Sequence, residues 1–226
     1  MSQKNLLKFN PDCRDCSRLA DFLDQTATEH PDYHARPVAP FGDDNAHLLI
    51  IGLAPGMHGA NATGRPFTGD YAGILLYQTL FEFGFSNQPE SVSLDDGLQL
   101  QDCRITNAVK CLPPQNKPQL DEIRNCNHYL CAELDDLPKP AVIIALGKIA
   151  HDAVLRAFGQ RLSAFPFGHA QVHAPVSDRV LIDSYHCSRY NTQTRRLTAV
   201  MFGDVFRLAR ESLDAGNLPA SSRDGG

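Results

Sequence analysis

Four short apolar segments constrain this chain more than anything else in it: His47–Gly52 (HLLIIG), Arg104–Val109 (RITNAV), Ala141–Gly147 (AVIIALG) and Val180–Tyr185 (VLIDSY). Each is nearly continuous in apolar character at its centre, which marks strands covered on both faces. Helical patterns lie between and around them, over Cys16–Glu29, Tyr71–Phe83, Leu120–Leu134, Lys148–Phe158 and Arg195–Ser212. Pro118 with Asp121 and Glu122 supplies a proline and an acidic start for the third helix. Strands alternating with helices predict an α/β fold, a three-layer α/β/α sandwich around a four-stranded parallel sheet with right-handed crossovers. Phe85–Asp102 reads as a long connection holding a short hairpin. No linker divides the 226 residues, so residues 1–213 are expected to form one domain, with 214–226 (DAGNLPASSRDGG) as a frayed tail.

Composition narrows the class of function. Apolar residues make up 42% and charged residues 21% of the chain, as in ordinary globular proteins. No apolar run approaches the roughly 20 residues that span a bilayer. The N-terminal stretch MSQKNLLKFNPDCRDC has no apolar signal core, so no membrane association and a cytoplasmic location are expected. A net charge of −5 argues against a nucleic-acid binder only weakly, because affinity depends on local contacts to phosphates. Arg189, Arg195 and Arg196, with Lys110 and Lys117, are the places to look for such contacts.

The seven cysteines, Cys13, Cys16, Cys103, Cys111, Cys126, Cys131 and Cys187, are an odd number in a chain read as unexported, which does not suggest a disulfide framework. Cys13 and Cys16 form a C-x2-C pair, and Cys111 and Cys126 are a second pair in KCLPPQNKPQLDEIRNC. Two pairs can face one centre, either zinc or a cubane cluster. Burial explains Cys103 and Cys131, although Cys131 competes with Cys126 for the fourth position. Cys187 adjoins a candidate site histidine but has no identifiable base beside it.

In open α/β sheets, ligands sit beyond the carboxyl ends of the strands. The segments GLAPG, TNAVKC and SYHCSRYN all fall at such ends. Three loops distant in sequence are therefore expected to converge.

These segments carry a family resemblance. Gly52–Asp70 (GLAPGMHGANATGRPFTGD) resembles the first motif of the iron–sulfur uracil-DNA glycosylases. Ala54, where related families carry an acidic or amide residue, makes it similar to the type-b (family 5) branch. TNAVKCLPPQNKP and HCSRYNTQTRRLT match the second and third motifs in order, and the resemblance runs from about Cys13 to Leu208. It implies a [4Fe–4S] cluster of structural role, held by Cys13, Cys16, Cys111 and Cys126. It also implies a monomer that acts on DNA containing uracil or other deaminated bases, flips the damaged base out and hydrolyses its glycosidic bond.

Roles follow from the same resemblance. Asp70 would activate water or stabilise the cationic sugar, besides serving as a helix cap. His186 would donate to a base oxygen, although the motif's usual following proline is here Cys187. Phe67 would stack on the base and Asn107 would read its Watson–Crick edge. Backbone groups of Gly52, Leu53, Ala54 and Gly56 would approach the base closely, with His58 near the rim. A loop over Ser188–Thr194, including Arg189, Tyr190 and Asn191, would enter the minor groove. Tyr190 would be the wedge, while Arg189, Arg195 and Arg196 would meet phosphates. The absence of a polar side chain at position 54 suggests a wider base range, including hypoxanthine and xanthine.

Two other readings compete. A non-enzymatic zinc module would use the cysteines but leave GRPFTGD and HCSRYN without work. A nucleotide-handling α/β enzyme would need a phosphate loop, and GLAPG is neither a P-loop nor a G-x-G-x-x-G fingerprint.

Overall fold

The structure is a computed structural model, and it describes residues 9–217. Its strands are β1 (Phe41–Gly42), β2 (Leu48–Gly52), β3 (Cys103–Asn107), β4 (Ala141–Leu146), β5 (Val172–Val176) and β6 (Arg179–Ser184). The helices are α1 (Ser17–Glu29), α2 (Ala60–Thr63), α3 (Tyr71–Glu82), α4 (Leu120–Asp136), α5 (Lys148–Ala157), α6 (Arg189–Gln193) and α7 (Ala199–Asn217).

All strands join one sheet in the order β1-β3-β2-β4-β6-β5. The four expected strands form its parallel centre. The sheet nevertheless has six strands, because β1 and β5 add antiparallel edges. β1 is too short to leave a pattern. In β5, VHAPV, buried and exposed positions alternate, and a break in register falls between His173 and Val176, around Pro175. Proline lacks the N–H of a ladder and is tolerated at edges and bulges.

The core confirms three layers. Leu48, Ile50, Val142 and Ile144 pack with α3 and α7 on one face, whereas Leu49, Ile51, Ile143 and Ala145 pack with α4 and α5 on the other. Every residue of β2 and β4 is buried. Burying one Leu or Ile contributes about 1.5–3 kcal/mol, so truncating Ile144 to alanine costs about 2–5 kcal/mol with the cavity left behind. A third cluster joins α1 to the segment after β3 through Leu19, Leu23, Val109, Leu112 and Tyr129.

Local signals explain the helix starts. At α4, the Gln119 N–H donates to Glu122 Oε2 at 2.6 Å, a reciprocal cap of the kind that S/T-x-x-E sequences make. Glu122 also holds Arg18 of α1 at 2.7 Å. The connection between α3 and β3 contains the expected hairpin, closed by a Ser86–Leu100 bridge.

Three boundaries depart from expectation. β3 ends at Asn107, with Ala108 N–H and Val109 N–H continuing to the carbonyls of Gly52 and Leu53. The helix read over Arg195–Ser212 starts only at Ala199, because Arg195 takes a left-handed φ of 57° and breaks it. The last helix runs on to Asn217, so 214–217 are helical; residues 218–226 lie outside the described residues. Among the described residues no helix is long and apolar enough to cross a membrane.

Candidate active site

The loops leaving β2, β3 and β6 meet, as expected, around a cavity of about 430 Å³. Leu53, Ala54, Gly56, Phe67, Asp70, Asn107, His186, Ser188 and Arg189 line it. Gly52 lies beneath. A Cβ there would fall 2.6 Å from Phe67 Cζ and collide with Asn107 Oδ1, so only glycine lets these two side chains approach.

Phe67 adopts a left-handed φ of 55°, a conformation that costs a bulky residue free energy. Its neighbours hold it there. Tyr77 Oη donates to the Pro66 carbonyl at 2.7 Å. The Phe67 carbonyl packs against Gly73, where any Cβ would overlap it. One turn earlier the buried Arg65 binds Asp96 at 2.8 Å, Ser91 Oγ at 3.0 Å and the Leu94 carbonyl at 2.7 Å. Burial pushes the Asp96 carboxyl up, but Arg65 and the N–H groups of Leu98, Val92 and Ser93 outweigh it and hold that carboxyl well below its usual range.

Asp70 serves two ends. Its Oδ1 accepts the Gly73 N–H at 2.9 Å and caps α3, while the carboxyl also lines the cavity. Gly59 makes room for it, since a Cβ there would sit 2.7 Å from Asp70 Oδ2. Burial raises the Asp70 pKa, and the N–H groups of Gly73 and Ala72 oppose the rise.

The His186 ring stacks against Phe67 with centroids 5.9 Å apart and planes at 29°. Burial pushes its pKa down to about 4, so the ring is neutral at neutral pH. Its Nδ1 is buried without a hydrogen-bond partner among the described residues. Asn107, 3% exposed at the end of β3, likewise has no partner for Oδ1. An unpaired buried acceptor is costly unless something else meets it.

The segment after His186 is helical where a loop was expected. Ser188 accepts the Asn191 N–H at 3.4 Å and caps α6. Asn191 turns inward, with Nδ2 donating to the His186 carbonyl at 2.8 Å. Ser188 and Arg189 reach the cavity itself. Tyr190 is 71% exposed beside it, and the Arg189 guanidinium lies 5.8 Å above the Tyr71 ring. Arg195 is exposed, and Arg196 covers the Tyr185 ring at 4.7 Å.

Two expectations fail. His58 does not line the cavity; its Nδ1 pairs with Tyr33 Oη at 2.8 Å on an exposed face. Lys110, a candidate for phosphate contact, is 1% exposed and paired with Glu133. Sequence reading also missed Tyr71, Ala72, Ala60 and Asn116, which complete the lining. Asn116 arrives through two successive left-handed residues, Gln115 and Asn116, for which the sequence carries little signal.

A separate pocket is lined by Cys13, Cys16, Cys111 and Cys126, together with Leu19, Val109, Lys110 and Tyr129. Burial raises the thiol pKa values of Cys16, Cys111 and Cys126, and mutual proximity adds to the rise at Cys111. The Lys110 N–H donates to Cys126 Sγ at 3.3 Å, and Asn125 Nδ2 lies 3.9 Å from Cys16 Sγ. Cys131 points to α5, within 3.9 Å of the Ala157 carbonyl, and Cys103 and Cys187 are buried in the main core.

Comparison with known proteins agrees with this geometry. Residues 39–210 match the model of the uracil DNA glycosylase superfamily. A type-5 uracil-DNA glycosylase of Thermus thermophilus is 47% identical over 203 residues, 88% of this chain and 92% of that one. A type-5 uracil-DNA glycosylase of Pyrobaculum aerophilum is 42% identical over 210 residues, covering 91% and 90%. The crystal structure of Pedobacter heparinus SMUG2 superimposes with a TM-score of 0.50 over 92% of this chain and 94% of that one; at 12% identity it speaks for the fold alone. On sequence and architecture together, this chain belongs to the uracil DNA glycosylase superfamily and, within it, to the type-5 uracil-DNA glycosylases.

Proposed function

We propose that the protein hydrolyses the N-glycosidic bond of uracil in DNA and leaves an abasic site. The observation that carries this reading is the cavity of Phe67, Asn107, Asp70 and His186, in which the Asn107 Oδ1 has no partner among the described residues. Uracil offers an N–H between two carbonyl oxygens. Asn107 Oδ1 accepts from that N–H, and its Nδ2 donates to the neighbouring carbonyl. Phe67 stacks on the extruded base.

As the glycosidic bond breaks, its electron pair goes to the base and positive charge develops on the sugar. A neutral His186 carrying its proton on Nε2 donates to the base oxygen where negative charge collects. Asp70 faces the sugar side, with Oδ1 committed to the cap. Its carboxylate balances the sugar cation or takes the proton of the attacking water, and burial makes it a better base than an exposed aspartate.

The four lining cysteines fit a [4Fe–4S] cluster in donor type and surroundings. Four thiolates also suit tetrahedral zinc in donor type, and the iron content and visible absorption of the purified protein separate the two. N–H donors to sulfur, as at Cys126, are usual around iron–sulfur centres. When bound, the cluster would cross-link the start of α1, the segment after β3 and α4.

Arg189 and Tyr190 are exposed beside the cavity mouth, suited to a phosphate and to the gap left by the extruded nucleotide. Asn191 acts by bracing His186. Hypoxanthine and xanthine remain part of the proposed range, on the strength of Ala54 and the open cavity. Incubation with a uracil-containing duplex, followed by alkaline cleavage, tests the reading: strand breaks at the uracil are expected. No abasic product from either U·G or single-stranded substrate overturns it.

A further inference from the structure

A buried cation lies between the two sites. Lys110 is 1% exposed, and its ammonium donates to the Asn107 carbonyl at 2.9 Å, to Thr106 Oγ1 and to Glu133 Oε1 at 2.6 Å. Its own backbone N–H donates to Cys126 Sγ. Asn107 and Thr106 close β3, while Glu133 and Cys126 both lie on α4. One residue thus touches the base-reading strand end, the cysteine pocket and the helix that joins them.

We propose that Lys110 is a positioning residue, which fixes Asn107 against the base and couples that position to the cysteine pocket. The inference rests on the reading of Asn107 as the base reader. A role in stability alone accounts poorly for it. A buried ion pair rarely outperforms apolar packing, and this one leaves Glu133 Oε2 buried without a partner among the described residues. What the pair does accomplish is directional. Two of the three ammonium protons go to the end of β3 and the third to Glu133 on α4, which ties the strand end to that helix, and among the described residues the Asn107 side chain has no bond to Oδ1 that could orient it instead.

The test compares the wild-type holoprotein with the double variant Lys110→Met/Glu133→Leu, which removes both charges together and avoids stranding one. Expected are near wild-type iron content and thermal midpoint, with kcat on uracil lowered by about 10- to 100-fold, since displacing a reacting group by an ångström costs on that order. Selectivity for uracil over hypoxanthine should fall, and KM should change little. In an Asp70→Asn background, preference for binding uracil-containing over undamaged DNA should shrink as well. Wild-type kcat and selectivity at full iron content overturn the proposal. If the double variant does not fold, Glu133→Gln reads the same question, with lowered selectivity supporting the proposal and wild-type selectivity sinking it. Failure of the wild type itself to release uracil would strike the functional reading instead.

Discussion

The side-chain amide of Asn191 donates to the main-chain carbonyl of His186 at 2.8 Å. The short helix beside the cavity mouth therefore also sets the backbone of the histidine inside it. Asn191→Ala removes that bond without touching the cavity wall. The expected result is a fall in kcat of about 10-fold or more, from looser placement of the imidazole, with DNA affinity nearly unchanged. Single-turnover kinetics and a binding titration separate the two quantities.

Asp70 can be divided into its two tasks. Asp70→Asn keeps an oxygen to accept the Gly73 N–H but removes the charge. It should retain stability while losing at least about 100-fold in turnover, the scale of a general-base contribution. Asp70→Ala should lose the same activity and about 1 kcal/mol of stability as well, because the cap goes too. Equal melting temperatures for the two variants would show that the cap carries little weight.

The pH profile tests the protonation of His186. Its folded pKa, about 4, lies below the ordinary value for histidine. The ring therefore stays neutral through the physiological range, and turnover should show no limb near pH 6.5. Stability has a matching sign. Between about pH 6.5 and about 4 the unfolded chain takes up a proton at this site that the folded protein refuses. Stability should thus be fully present above pH 6.5 and decline as pH falls through that window. His186→Gln should remove that part of the decline, as read by thermal melts at several pH values.

The cysteines separate by position. Cys111→Ser and Cys126→Ser should each lower bound iron and the visible absorption it produces, together with thermal stability. Cys131→Ser, beside the Ala157 carbonyl on the far side of α4, should keep both. Iron analysis of the purified variants decides, and a Cys131→Ser protein without iron would reassign the fourth ligand.

Gly52→Ala is the smallest change expected to close the site. The added methyl would meet both Phe67 and Asn107, and neither has slack: one is backbone-strained and the other ends a buried strand. Activity should fall by at least about 100-fold, on the scale of an ångström's misplacement. Crystals of the variant should show the Phe67 ring displaced.

Much of this was legible in the sequence where burial leaves an unbroken apolar run. LLIIG and AVIIAL are covered on both faces, and both were recognisable as strands. The edge strands were not, because FG is two residues long and VHAPV carries a histidine and a proline. Asp70, Phe67, Asn107 and His186 stood out through the resemblance of their motifs to the glycosylase family; strand-end position alone predicts only that the three loops converge. Lys110 was misplaced for the opposite reason: a lysine is usually exposed, and only the fold reveals Glu133 waiting for it. The break at Arg195 was hidden because TRRLT can continue a helical pattern, and nothing local announces the left-handed turn.

The two edges of the sheet have a consequence for how the protein behaves in a crowded solution. An open sheet edge offers a row of free N–H and C=O groups on which another chain can grow. Here one border is a two-residue strand. The other is interrupted at a proline, where the pairing register slips. Neither presents a straight template, so the parallel centre, apolar on both faces, is sealed laterally against edge-to-edge aggregation.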